Sequence, residues 1–445
     1  MTLHPTTGFT STDAAAIVSR LRATFRTGRT RPLAWRKDQL IRLRDLLTEH
    51  RDAIADALHI DLRKNRAEVD TMEIGGTLRE IDDCLAHMDT WLTPRDVPVP
   101  VLLPRGTTAR TAYEPLGVTL VISAWNYPVN LLLVPVVGAL AAGNAVLIKP
   151  AEHAVATSAL LAELLPRYLD NDATAVVEGG AEETTLLLAQ RFDHIFYTGN
   201  SAVGRTVMTA AAANLTPVTL ELGGKSPVFV DRDIDLRVVA ERLVLTKFTN
   251  AGQTCVAPDY ILTDPGTAVA LEAALTSALR DRFGQDPQAS NRYGRIVNER
   301  HFDRLTALLG SGRTVTGGRT DRADRYIAPT VLADVAADDP VMGEEIFGPL
   351  LPILTVADLD AAIIFINDRD KPLALYAFTG NDTTRRRLAA ETSSGGINFG
   401  WPMHQLTVPG LPFGGVGESG MGHYRGPHSV ETFSHRKSIL DVPLA

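Results

Sequence analysis

Cysteine is the scarcest chemical resource in this 445-residue chain, which has only two, Cys84 and Cys255. They can form at most one bridge, so disulfides do not hold the fold together and a reducing, cytoplasmic setting is expected. An excess of one charge is also missing. Lys and Arg number 44 against 52 Asp and Glu, a formal charge of -8 that gives no electrostatic reason to bind nucleic acid or an acidic membrane. No His, Cys and Glu set has metal-ligand spacing, and the 11 histidines are scattered, so no metal is expected. Met1 to Thr12 is polar and lacks an apolar core with a cleavage site, so no signal peptide is expected.

What is present begins with an uncharged stretch from Gly117 to Ile148. Its length would suit a membrane span, but Asn126, Pro128, Asn130, Pro135 and Asn144 interrupt it. It divides into a strand over Val118–Ser123, a polar turn, a buried helix over about Leu131–Ala142 and a strand over Ala145–Ile148. That pattern is a buried β–α–β unit, with strands apolar on both faces.

Around this unit the chain alternates. Residues 13–92 read as helical, with Leu40, Leu43 and Leu47 at helical spacing. Prolines then break the pattern, and Val97–Leu103 with Thr107–Tyr113 predicts an edge or protruding hairpin. Further strands are expected at Thr174–Glu178, His194–Tyr197 and Val218–Glu221. A second series is expected near Pro227–Val230, Tyr260–Leu262, Leu351–Thr355 and Leu373–Phe378. Strands alternating with helices predict two doubly wound α/β domains with a cleft between them.

Three residues could carry chemistry. Cys255 lies in Phe248-Thr-Asn-Ala-Gly-Gln-Thr-Cys-Val-Ala-Pro258. A lone cysteine is usually a small buried hydrophobe, but a Gly- and Asn-containing loop suits a thiolate nucleophile that leaves well from a thioester. Cys84, in a helical context, fits the structural reading. Glu221 ends an apolar strand before Gly223-Gly224. It could be a water-activating base at a strand's carboxyl end, or the partner of Lys225 at a turn. Asn126, just past a strand, could donate to an oxyanion or make an Asx turn before Pro128.

These motifs together resemble the aldehyde dehydrogenase superfamily, closest to its class 3-like branch of aromatic and fatty aldehyde dehydrogenases. The resemblance runs from about Ala34 to Leu440, and Glu221 and Cys255 stand 34 positions apart, as in the family. It implies an α/β fold with a Rossmann-like NAD-binding domain, an α/β catalytic domain and a small β bridging element. The corresponding boundaries are 1–96 and 115–221, then 222–420, then 97–114 with 421–445. By the same resemblance Cys255 is the nucleophile, Glu221 the base and Asn126 the oxyanion donor in NAD(P)-dependent oxidation of an aldehyde to an acid. Trp125, Lys149, Glu152, Thr198, Gly199, Ser201, Gly204, Leu222, Gly223, Glu345 and Phe347 are the implied cofactor residues. Tyr127 and Phe413 are the implied pocket walls. A carboxylate at Glu152 favours NAD over NADP, although the branch often accepts both. A homodimer is the expected assembly.

Two motifs are set aside. Gly415-Val-Gly-Glu-Ser-Gly420 spells a dinucleotide fingerprint with no strand before it, and Gly224-Lys225-Ser226 lacks the first glycine of a phosphate loop, where Thr219 stands. The chain also departs from the family: Pro135 stands where many members carry lysine. Residues 398–405 differ from the branch, and Trp401 and Met403 there could favour bulky apolar substrates. Two other functions remain open, a coenzyme A-acylating enzyme of the same fold and a catalytically silent binding protein.

Overall fold

The structure, a computed structural model, describes residues 8–444. The expectation for Met1 to Thr12 therefore lies partly outside the described residues.

The apolar runs form the middle of a six-stranded sheet. Its order is Gly420–Met421, Val218–Glu221, His194–Thr198, Val118–Ile122, Ala145–Lys149 and Thr174–Val176. All neighbours are parallel except Gly420–Met421, which runs antiparallel to Val218–Glu221. Alternation along each strand explains why both faces are apolar. Val121, Val146 and Ile148 belong to one core, while Leu120, Ile122 and Leu147 belong to a second. Helix Ser11–Arg26 closes the second core with Ala14, Val18 and Leu21. Helix Asn130–Ala142 is buried along its whole length, as its uncharged sequence requires, with Pro135 inside it. Chain order reverses between Val118–Ile122 and His194–Thr198, so the crevice for a ligand opens beyond the carboxyl ends of those two strands.

A second sheet has seven strands, ordered Arg313–Thr316, Thr330–Ala333, Leu350–Thr355, Tyr260–Thr263, Pro227–Val230, Ala374–Phe378 and Gly396–Phe399. Arg313–Thr316 is the antiparallel edge. The chain crosses from the first sheet to the second between Glu221 and Pro227, and it returns to the first through Gly420–Met421.

A third, antiparallel sheet joins Arg95–Asp96, Thr108–Pro115 and Ser434–Asp441. Here the structure corrects an expectation. The first arm of the hairpin is Arg95–Asp96, and the Val97–Leu103 segment forms no strand. Pro98, Pro100 and Pro104 offer no N–H to a ladder, and Val101 and Leu102 stand fully exposed. The helical reading of the N-terminal part resolves into Ser11–Arg26, Leu33–Glu49, Arg51–Leu62 and Gly75–Trp91, the last entered through a π-turn over Val69–Ile74.

Candidate active site

The loop that carries Cys255 is bent into an unusual path. Asn250 and Ala251 both hold positive φ, +53° and +51°, a region that non-glycine residues occupy at a strain of about 1–3 kcal/mol. Side-chain hydrogen bonds hold the loop there. Gln253 Nε2 donates to the carbonyls of Asn250 and Arg295, both at 2.9 Å, and its Oε1 accepts from Val297 N–H at 3.0 Å. Asn250 Nδ2 donates to the carbonyls of Asn126 and Gln253 at 2.8 and 3.1 Å.

The bond to the Asn126 carbonyl ties the cysteine loop to the segment that follows strand Val118–Ile122. Asn126 itself is buried, and its Nδ2 donates to the Gln253 carbonyl at 3.1 Å, two residues before Cys255. Behind it lies a fully buried ion pair, Lys64 Nζ to Glu73 Oε1 at 2.6 Å. Lys64 also donates to the Asn126 carbonyl at 2.7 Å and sits 3.7 Å from the centre of the Tyr127 ring. Glu73 Oε2 accepts from Val129 and Asn130 N–H at 3.1 and 3.0 Å, which anchors the start of the buried helix. The alternative Asx turn at Asn126 does not form, since its Oδ1 accepts no hydrogen bond and its Nδ2 reaches across to another loop.

Glu221 is 1% exposed, and neither carboxyl oxygen has a hydrogen-bond partner. Burial drives its pKa well above the usual carboxylate range, against the pull of Arg425. The alternative pairing with Lys225 does not form: Lys225 Nζ donates instead to Asp259 Oδ2 at 2.6 Å and to the carbonyls of Val341 and Glu344. The Cys255 thiol is pushed up to about 12, first by burial, then by Glu345 and Glu221, with Arg425 opposing. Cys255 thus shares an electrostatic neighbourhood with Glu345 and Glu221; Arg425 acts on Cys255 and Glu221, whereas Lys225 and Arg304 act on Glu345. Cys84 is buried among helices and its thiol is raised by burial, which fits its structural reading.

The other residues expected at a cofactor site gather at the carboxyl ends of the first sheet. Lys149 ends its strand, buried, and donates to Glu152 Oε2 at 2.9 Å. Burial raises the Glu152 carboxyl, but the Lys149 charge and hydrogen bond outweigh it and leave its pKa low. Thr198 ends the next strand with its Oγ1 buried and unpartnered. Gly199 N–H donates to the Glu221 carbonyl at 3.0 Å, and a Cβ at Gly199 would stand 2.1 Å from Tyr197 Oη. Ser201 begins helix Ser201–Ala212, where Gly204 packs against Leu222. On the facing side, a Cβ at Gly223 would meet Glu345 Oε2 at 1.9 Å. Burial, then Asp259, raise Glu345 to about 8. Trp125 and Phe347 stack edge to face with centroids 5.3 Å apart, next to His301. The set-aside Gly415–Gly420 segment holds the sheet edge instead, with the Ser419 carbonyl accepting from Leu222 N–H.

Cys255 opens into a cavity of about 550 Å³. Tyr127 and Phe413 line it, as expected, together with Glu68, Met403 and Arg425. Trp401 packs on Arg242 instead, 4.5 Å from the guanidinium, so of the two bulky residues Met403 is the one facing the cavity.

Residues 3–439 match the family model for the aldehyde dehydrogenase family. The chain belongs to the aldehyde dehydrogenase family. A mouse relative named "Aldehyde dehydrogenase, dimeric NADP-preferring" is 50% identical over 431 residues, covering 96% of this chain and 94% of the relative. A solved structure of Staphylococcus aureus AldH in a substrate-bound state superposes with a TM-score of 0.94 at 43% identity, covering 96% and 94%. A Mycobacterium tuberculosis aldehyde dehydrogenase complexed with NAD+ gives 0.86 at 30% identity, covering 96% and 90%. This aldehyde dehydrogenase is of the class 3 branch, an NAD(P)-dependent oxidoreductase that oxidises aldehydes. No helix among the described residues is long and apolar enough to cross a membrane.

Sequence reading missed Lys64, Glu73, Asn250, Gln253 and Arg425. Gln253 and Asn250 lie inside the quoted cysteine motif, so its unusual density of amides was the available signal. Lys64 and Glu73 lie in the helical region and acquire meaning only through contact with residues 126–130, Lys64 on the Asn126 carbonyl and Glu73 on the Val129 and Asn130 N–H groups. Lys64→Met in this aldehyde dehydrogenase should leave Glu73 as an unpaired buried charge, costing about 3–5 kcal/mol of stability. Urea denaturation measures that, and an unchanged midpoint would show that the pair is not buried as described.

Proposed function

We propose that Cys255 attacks the aldehyde carbon, that Asn126 and the Cys255 backbone N–H hold the developing oxyanion, and that Glu221 activates the water that releases the acid. The observation that carries this reading is the unpartnered, buried Glu221 carboxyl in the electrostatic neighbourhood of Cys255. Leaving both oxygens of a buried carboxyl unsatisfied is costly in a purely structural role, but it keeps a general base free for water. Asn126 uses one amide hydrogen on Gln253, and the other is available to an oxyanion.

The crevice suits a nicotinamide dinucleotide. Gly199 precedes helix Ser201–Ala212 and Gly204 lets its first turn pack closely on Leu222, where a Cβ would stand 2.9 Å from Cδ2, and Thr198 Oγ1 beside that helix N-terminus lacks a partner. Lys149 and Glu152 would hold the adenosine ribose, Ser201 and Leu222 would flank the pyrophosphate path, and Glu345, Gly223, Trp125 and Phe347 would border the nicotinamide end. When bound, the nicotinamide accepts the hydride from the oxidised carbon. The Cys255 sulfur then retains the acyl group, and Glu221 takes a proton from the attacking water. NAD is favoured over NADP because the Glu152 carboxylate would repel a 2′-phosphate. Glu152→Ala should raise the kcat/KM ratio of NADP over NAD about tenfold, and an unmoved ratio would remove Glu152 from this role.

Aromatic or medium- to long-chain aliphatic aldehydes fit the Met403 and Phe413 walls. Absorbance of the reduced cofactor with a panel of such aldehydes tests the reading, together with identification of the product. A coenzyme A-dependent product, or no oxidation of any member, would overturn it.

We also propose the division into residues 1–96 with 115–221, 222–420, and 97–114 with 421–445; the strands of the two large sheets between Val118 and Phe399 divide at 221, while Arg95–Asp96 pairs in the third sheet and Gly420–Met421 in the first, which moves the edges at 96 and 420 by a few residues. The outer edge of Ser434–Asp441 has no partner strand among the described residues, and the mouse relative is named dimeric. We infer a homodimer on these grounds, and a cytoplasmic location from the two free cysteines, and sedimentation with cell fractionation checks both parts. A monomer at micromolar concentration would contradict the assembly.

A further inference from the structure

The cavity that reaches Cys255 carries more positive charge than the chemistry above uses. Arg79, Arg282, Arg292 and Arg425 all line it. Among the described residues none of the four is in an ion pair. They form two like-charged pairs. Burial, and then the charge of Arg425, pull the Arg79 guanidinium down; burial, and then Arg292, do the same to Arg282.

The two pairs are compensated differently. Arg425 has Glu80 close by, and its Nη1 donates to the Leu406 carbonyl at 3.3 Å. Arg282 has Glu68 as the one carboxyl acting on it and, among the described residues, no side-chain hydrogen bond to match that of Arg425, and its Nε, like that of Arg425, is buried with no hydrogen-bond partner. Glu68 lines the same cavity, and burial, as the largest influence, raises its pKa. Holding guanidiniums together around a cavity without a paired anion is unfavourable until an anion arrives. The same lining also includes the apolar side chains of Met72, Leu131, Leu245, Val256, Met403 and Phe413.

We propose that this cavity selects aldehydes carrying a carboxylate remote from the carbonyl, and that Arg282 and Arg292 form the subsite that receives the carboxylate. The substrate's carbon chain lies along the apolar wall while its carbonyl meets Cys255. A guanidinium offers a planar fork of donors matched to a carboxylate, so recognition is directional as well as electrostatic. Arg282, half-buried, is screened less by salt than a surface arginine, whereas Arg292 stands exposed at the mouth and draws the anion in. The proposal rests on the reading that Cys255 is the nucleophile of this cavity.

Matched aldehydes test it. Adipic semialdehyde is compared with hexanal, and para-carboxybenzaldehyde with benzaldehyde, by kcat/KM on the full chain with saturating cofactor. The charged member of each pair should be preferred about tenfold or more at low ionic strength, with the preference shrinking in high salt. Arg282→Gln and Arg292→Gln should each lower kcat/KM about tenfold for the charged member and leave the neutral member within about twofold, mainly through KM. Arg282→Lys should restore part of the preference, because a charge returns without the fork. Equal or better use of the neutral aldehydes, or an equal loss on both members in the Gln variants, would overturn the subsite. Oxidation without charge preference removes only this inference, whereas no oxidation of any aldehyde removes the active-site reading beneath it.

Discussion

Cys255→Ala should abolish steady-state aldehyde oxidation, lowering kcat by on the order of 10⁴-fold or more, because no other group at the site can hold the acyl intermediate. The substitution removes one sulfur from a half-buried side chain, so stability should change by no more than about 1 kcal/mol. Circular dichroism and cofactor binding should therefore be preserved, which separates loss of chemistry from loss of fold. Burial and two carboxyls push the thiol up to about 12, so the protonated thiol predominates near neutral pH in the free protein. The reactive form is the deprotonated one, present above the pKa and lost as pH falls. Alkylation by iodoacetamide should accordingly quicken about tenfold per pH unit between pH 7 and 9, and binding of a cationic nicotinamide should quicken it further. Full turnover in the Cys255→Ala protein would end the thioester account.

Glu221→Gln is expected to separate the two halves of the reaction. The amide keeps the shape of the carboxyl but cannot take a proton from water. One equivalent of reduced cofactor should form quickly, followed by turnover slowed about 10²–10⁴-fold. Rapid-mixing absorbance measures both phases. Because burial raises the Glu221 pKa, its basic form is present above that pKa and lost as pH falls. The wild-type kcat should rise with pH over the range in which Glu221 ionises, and the Gln variant should lose that limb. A variant with no burst, or with an unchanged pH limb, would move the base elsewhere.

The legibility of the fold varies with how completely each element is buried. Strands such as Val118–Ile122 and Ala145–Lys149 are covered on both faces, so their sequences are unbroken apolar runs, readable without a partner. Thr330–Ala333 and Gly396–Phe399 escaped notice because four residues with one or two polar members carry no period of their own. The 97–103 segment misled through alternation alone, since its prolines forbid the ladder that the alternation suggested. At the candidate site, Cys255, Glu221 and Asn126 could be proposed from sequence because each sits in a motif at or just past the end of an apolar element. Lys64 and Glu73 were not, since a buried ion pair looks in sequence like two ordinary helical charges.

Local sequence determined that this chain has α/β layers, a thiol in a tight polar loop, a carboxylate at a strand end and glycines where a dinucleotide would approach. Those properties depend on neighbours within a few residues, through periodicity, turn chemistry and the absence of a Cβ. Tertiary structure alone decided that Glu221 has no partner, that Arg425 faces Cys255, and that four arginines converge on one cavity. Burial and long-range charge set those features, and both arise only when segments far apart in the chain are packed together.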